Sequence, residues 1–81
     1  MQERRRVQRH RTLKSGCIAL NQASTIGCRV RNISLIGACL EVESQLGVPD
    51  EFVLLVESGH LKVGCHVIWR IASRVGVEFV H

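Results

Sequence analysis

From about Ser15 onward, apolar and polar residues alternate with period two along most of the chain, and that alternation predicts β-strands. Ile18 and Leu20 alternate with Cys17 and Ala19 in a first strand, and Ala23 to Thr25 forms a polar turn. A second strand puts Ile26, Cys28 and Val30 on one face and Gly27, Arg29 and Arg31 on the other. Asn32 to Gly37 reads as a connection. In the third strand Ala38, Leu40 and Val42 alternate with Cys39, Glu41 and Glu43, so these acids can face Arg29 and Arg31 across the ladder. Gln45 to Asp50, with Gly47 and Pro49, is a loop. The fourth strand, Phe52 to Glu57, is apolar on both faces, which predicts cover on both sides or a contact. Ser58-Gly59 is a hairpin signal. The fifth strand sets Leu61, Val63, Cys65, Val67, Trp69 and Ile71 against His60, Lys62, Gly64, His66, Ile68 and Arg70. Ala72 to Arg74 turns into a sixth strand built on Val75, Val77 and Phe79. No segment carries a helical repeat.

Six strands at regular spacing with hairpin-length turns predict an all-β fold, a small six-stranded antiparallel β-barrel. Closure removes the exposed edges that a valine-rich domain has reason to avoid. Gly64 and Gly76, inside strands, suit bends or bulges. The 81 residues make one domain, and an apolar fraction of 46% is ample for a core. The aromatics are Phe52, Trp69 and Phe79, so the core is aliphatic, with alternation assigning these rings mostly to it. The division expected is a basic N-terminal arm over residues 1–14 and the barrel over 15–81. The arm has no apolar periodicity and is expected to be flexible. A helix would put Arg5 and Arg9 on one face, but like charges repel at that spacing, and a turn-like loop is preferred.

Charge sharpens this division. Residues 1–14 carry six bases and one acid, net +5, whereas residues 15–81 carry five bases and six acids, net −1. A duplex-coating protein spreads its bases over a face; a concentrated arm suits a compact anion, an acidic partner or a membrane surface. No apolar stretch of signal-peptide length follows the basic N-terminus. The longest apolar run, Phe52 to Val56, is too short to span a bilayer, so the expected location is the cytoplasm. Cys17, Cys28, Cys39 and Cys65 form no CxxC pair and read as small strand residues, some in the core and some not; no metal or other cofactor is expected. His10, His60, His66 and His81 are scattered, and no nucleophile, base and acid assemble into a set. The chain is therefore not read as an enzyme.

What remains is the arm and the Asn32–Gly37 segment. Alone, an arginine run is a solvated tail or nonspecific anion binder, and Asn, Ser and Gly in a turn have ordinary backbone reasons to be there. Together they suggest a purine nucleotide. Planar guanidiniums at Arg5 and Arg9 match the guanine O6/N7 edge and phosphate oxygens, while Asn32, Ser34 and Gly37 supply the smaller polar contacts.

The order of these elements resembles the PilZ domain family, bacterial receptors for the second messenger cyclic di-GMP. The likeness starts at Glu3-Arg4-Arg5 with Arg9 (the family's RxxxR element) and runs through Asn32-x-Ser34-x-x-Gly37 (its [D/N]xSxxG element). It continues in Ala38-Cys39-Leu40-Glu41, Val67-Ile68-Trp69-Arg70 and Gly76-Val77-Glu78-Phe79. The resemblance implies that Arg5 and Arg9 grip guanine edges and phosphates as the arm orders around the ligand. It implies that Asn32 offers its amide oxygen to a guanine N–H and that Ser34 bonds a phosphate or nearby backbone. Gly37 lets the backbone or ligand approach closely. Arg4 holds a position that in the family influences how many ligand molecules bind, and an arginine there makes a stacked ligand pair an expectation. Family members usually carry a C-terminal helix after the barrel, which on this reading is absent here or trimmed. With no effector domain in view, output is expected through an unidentified downstream protein or through self-association.

Two other classes stand beside this reading. One is a PilZ-like adaptor that works through protein contacts without nucleotide. The other, less favoured, is a barrel of the OB type for single-stranded nucleic acid; such surfaces stack bases on several aromatics, which this chain lacks.

Overall fold

The computed structural model describes residues 10–56 and 61–80. It contains six strands: β1 (His10–Ala19), β2 (Thr25–Ile33), β3 (Gly37–Glu41), β4 (Glu51–Val56), β5 (Leu61–Ile71) and β6 (Arg74–Val80). All pairings are antiparallel, and the order β1-β2-β3-β6-β5-β4 closes into a barrel. The all-β barrel expected from the alternation is the fold observed.

Each strand turns one alternate set of apolar positions inward. Ile18 of β1, Val30 of β2, Leu40 of β3, Leu54 of β4, Cys65 of β5 and Val75 of β6 are all buried and meet in one core. Burying an Ile or Leu side chain contributes about 1.5–3 kcal/mol, so a barrel this small relies on filling its interior with such residues. Phe52 is buried and Phe79 packs half-buried against the core. The four cysteines are free thiols, with Cys39 and Cys65 buried and Cys17 and Cys28 half-buried. Burial pushes the Cys28 thiol up to about 11, with smaller contributions from Cys17 and Cys65, and burial likewise pushes Cys65 up to about 11. Both therefore stay protonated at neutral pH and act as small apolar fillers. The outward pair on β4, Val53 and Leu55, is half-buried beside Ala19 and Cys17 of β1.

Three local departures from strict alternation matter for function. First, β1 starts at His10 rather than near Ser15, with His10 opposite Ile33 and Arg11 opposite Asn32. Ladder pairing uses backbone groups, so a basic stretch without period two can still be a strand when a partner lies beside it. Second, β2 runs through Ile33, so Asn32 belongs to the strand and the turn itself is Ser34–Gly37. Third, bulges shift the phase in β2 between Val30 and Asn32 and in β5 between Val67 and Trp69.

Candidate functional site

The bulge in β2 decides which way Asn32 faces. Strict alternation would send Asn32 inward after Val30. The extra residue, Arg31, resets the register so that Asn32 pairs with Cys39 and Ile33 with Ala38. Ala38 and Leu40 belong to the core, so Cys39 between them faces outward, and Asn32 shares that outer face. Arg31 itself donates to the Glu41 carboxylate at 2.9 Å, and Arg29 lies opposite Glu41 in the ladder. The expected meeting of Arg29 and Arg31 with the third-strand acids is thus centred on Glu41.

Two residues beyond Asn32, the chain reverses. The Ser34 amide donates to the Gly37 carbonyl at 2.8 Å, closing a hairpin whose tip is Leu35-Ile36. The Ser34 hydroxyl accepts the Ile36 and Gly37 amides at 3.2 and 3.3 Å and approaches the Gly37 carbonyl at 3.3 Å. It therefore bonds the nearby backbone of its own turn, an arrangement that serine supplies through a short hydroxyl arm. Gly37 is needed for space, not conformation: a Cβ there would overlap the Val77 carbonyl oxygen of β6. Gly37 pairs with Glu78, and the Phe79 amide donates to the Ile36 carbonyl at 2.7 Å, so the turn lies tightly against β6. Leu35 and Ile36 project outward at 84% and 58% exposure.

The same cross-strand row continues past Asn32. Arg11 pairs with Asn32, Asn32 with Cys39, Cys39 with Gly76, and Gly76 with Trp69. A Cβ on Gly76 would overlap the Trp69 indole, so the ring lies across the bare backbone of Gly76. This corrects the expectation that Trp69 sits in the core: its side chain is on the outer surface at 38% exposure, and Ile71 is exposed too. The cause is the bulge at Ile68, which keeps Val67 inward and turns Trp69 outward. Two signals in the sequence bear on it, the adjacent apolar pair Ile68-Trp69 and a glycine at the facing position of β6. At one strand spacing per step, Asn32 and Trp69 are about 14 Å apart along the sheet.

Arg4, Arg5 and Arg9 lie outside the described residues. Arg9 is bonded to His10, which pairs with Ile33, the neighbour of both Asn32 and Ser34. Of the candidate residues, Asn32, Ser34 and Gly37 are described and lie together at one end of β2–β3, with Trp69 on the same outer face as Asn32. Among the described residues no group of His, Cys, Asp and Glu could hold a metal ion, and no helix is long and apolar enough to cross a membrane.

A family model described as the PilZ domain matches residues 3–81, a span that includes the arm arginines as well as the turn. No curated protein matches the chain.

Proposed function

The chain belongs to the PilZ domain family, a cyclic di-GMP receptor module, and from that premise we propose that it binds cyclic di-GMP and passes the signal to a partner protein. The observation that carries this reading is the pairing of β1 with the end of β2: the residue following Arg9 lies beside Ile33, between the Asn32 and Ser34 positions. An arm entering there needs no long reach to bring Arg5 and Arg9 over the outer face.

In this proposal Arg5 and Arg9 hold guanine edges and phosphate oxygens through paired N–H donors. Asn32 offers its side-chain oxygen to a guanine N–H from the outer face. Ser34 shapes the turn with its hydroxyl, and Gly37 keeps that turn against β6. Arg4 adds a guanidinium that can cover a purine face, which favours a stacked ligand pair. Trp69 joins the set as a rigid aromatic surface on the same row, suited to stack a base. The ligand's two phosphates relieve the repulsion among the arm's cations, and ordering the arm on binding costs part of the interaction energy. PilZ domains are binding modules, and the work done is recognition.

Titration calorimetry with cyclic di-GMP, alongside GTP and cyclic GMP, tests the reading. Each charge-assisted hydrogen bond contributes about 1.5–3 kcal/mol, so Arg5→Ala or Arg9→Ala should weaken binding about ten- to a hundredfold while the thermal melt stays cooperative. Unchanged affinity in both variants removes the assignment. The fitted stoichiometry distinguishes a single ligand from a stacked pair.

A further inference from the structure

The seam between β2 and β3 is closed along only part of β2. Within Arg29–Ile33 β2 pairs with both β1 and β3, whereas Thr25–Cys28 pair with β1 alone among the described strands. Past Glu41 the chain veers toward the β5–β6 turn, where the Val42 amide donates to the Ser73 carbonyl at 2.8 Å. Between the diverging walls lies an open groove of about 830 Å³. Its apolar surface comes from half-buried Ile26 and Cys28 and buried Val42, with Leu46 on its rim at 88% exposure. A Cβ built on Gly27 would have no atom within 4 Å.

A strand directs its backbone N–H and C=O groups alternately to its two sides. Half of those groups on Thr25–Cys28 therefore point toward the groove, and among the described residues no strand pairs with them there. Beside them Arg29 makes no ion pair among the described residues, because the opposite carboxylate, Glu41, is bonded to Arg31. A backbone edge, an apolar floor and an uncommitted guanidinium together match one ligand chemistry.

We propose that this groove receives an extended peptide segment of a partner protein, added as a strand along Thr25–Cys28, with an apolar side chain on the Ile26/Cys28/Val42 floor and an acidic side chain against Arg29. Backbone pairing supplies the affinity and the alternate side chains the selectivity. A nucleic acid has no alternating backbone N–H and C=O groups to pair with the edge of Thr25–Cys28, which disfavours it as the occupant. The proposal does not depend on nucleotide binding, and it gives the output side of the domain a location at the other end of the strand pair that carries Asn32 and Ser34.

The test is a nuclear magnetic resonance titration of the full chain with a synthetic ten-residue peptide of alternating valine and threonine bearing one central aspartate. Saturable shifts are expected at residues 25–29 and 42–46, and a version N-methylated at alternate residues should not bind. Arg29→Glu should weaken the aspartate peptide about three- to fivefold and favour the same peptide with lysine in place of aspartate. Gly27→Trp fills open space, so it should block the peptide while leaving cyclic di-GMP affinity unchanged. Absence of saturation at millimolar peptide, shifts confined to another edge, or full binding by the N-methylated peptide overturns the proposal. So does concentration-dependent self-association of the free chain through residues 25–29, which would assign the groove to a second copy.

Discussion

Two hairpin turns of the barrel are held by opposite means. The β2–β3 turn is bonded mostly from within: Ser34 and Gly37 close it through the backbone, the Ser34 hydroxyl binds the amides of Ile36 and Gly37, and one bond from outside, Phe79 to the Ile36 carbonyl, ties it to β6. The β5–β6 turn is braced from outside. Ala72 sits at φ +53°, a left-handed conformation that costs a residue with a Cβ about 1 kcal/mol or more. The Gln45 side chain, far away in sequence, donates to the Ala72 and Arg74 carbonyls at 3.0 and 2.8 Å. Arg70 bonds Asp50 at 2.8 Å and reaches Gln45 at 3.4 Å. The first turn is bonded chiefly by its own residues; the second is bonded by a side chain from the 45–50 loop.

The largest expected effect lies where the first turn stops being local. Gly37→Ala forces a Cβ into the Val77 carbonyl oxygen, and a strand backbone cannot swing aside as a side-chain end can. Overpacking of this kind costs about 1–3 kcal/mol, and a backbone neighbour puts it at the upper end. A urea melt should show the loss. An unchanged midpoint would mean that β3 and β6 are not held in the close register described, and the contrast between a tethered and a braced turn would weaken with it.

The same division between local and distant causes explains what could be read in the sequence. Inward sets such as Ile26, Cys28 and Val30, or Ala38, Leu40 and Val42, were legible because pleating alone fixes them. So was the facing of Arg29 and Glu41 across the ladder, whereas the ion pair to Glu41 comes from Arg31 at the bulge and Glu43 lies past the end of β3. The bulge at Arg31 was not legible, because an extra residue becomes visible only against its partner strand, and the one at Ile68 was signalled only by Gly76 and the adjacent apolar pair Ile68-Trp69, without its position. Each turned a side chain of the candidate site outward: Asn32 in one case and Trp69 in the other. The start of β1 at His10 was hidden for a related reason, since its first residues, His10 to Lys14, show no alternation and its pairing depends on β2. Ser34 and Gly37 could be placed in one turn from their spacing, but the need for glycine at position 37 comes from Val77 across the seam. The groove beside Thr25–Cys28 carries no sequence signal, because it arises where two strands part.

Gln45→Ala should come next in size. It removes two hydrogen bonds to backbone carbonyls and an acceptor for Arg70. Those groups are exposed enough for water to replace part of the loss, so about 1–2 kcal/mol is expected in the same melt. Hydrogen exchange should quicken at the Val42 amide, which is bonded to Ser73 in this turn, while the amides of Ile36 and Gly37 stay protected. Equal acceleration at both turns would show that they open as one unit and that the distinction has no energetic meaning.

The smallest effect has the opposite sign. Ala72→Gly removes the Cβ that makes φ +53° costly, but it also gives the unfolded chain more freedom to lose. Left-handed strain for a non-glycine residue is about 1–3 kcal/mol and the entropy term about 0.5–1 kcal/mol, so a net gain of about 0.5–1 kcal/mol is expected. That gain should appear as a slightly higher melting temperature with no change in cyclic di-GMP affinity. The informative measurement is the same substitution in the Gln45→Ala background. If the brace is what holds Ala72 in its strained state, an unbraced turn can relax, there is less strain left for glycine to relieve, and the gain shrinks. A gain of equal size in both backgrounds would mean that the strands themselves impose the turn and that Gln45 only decorates it.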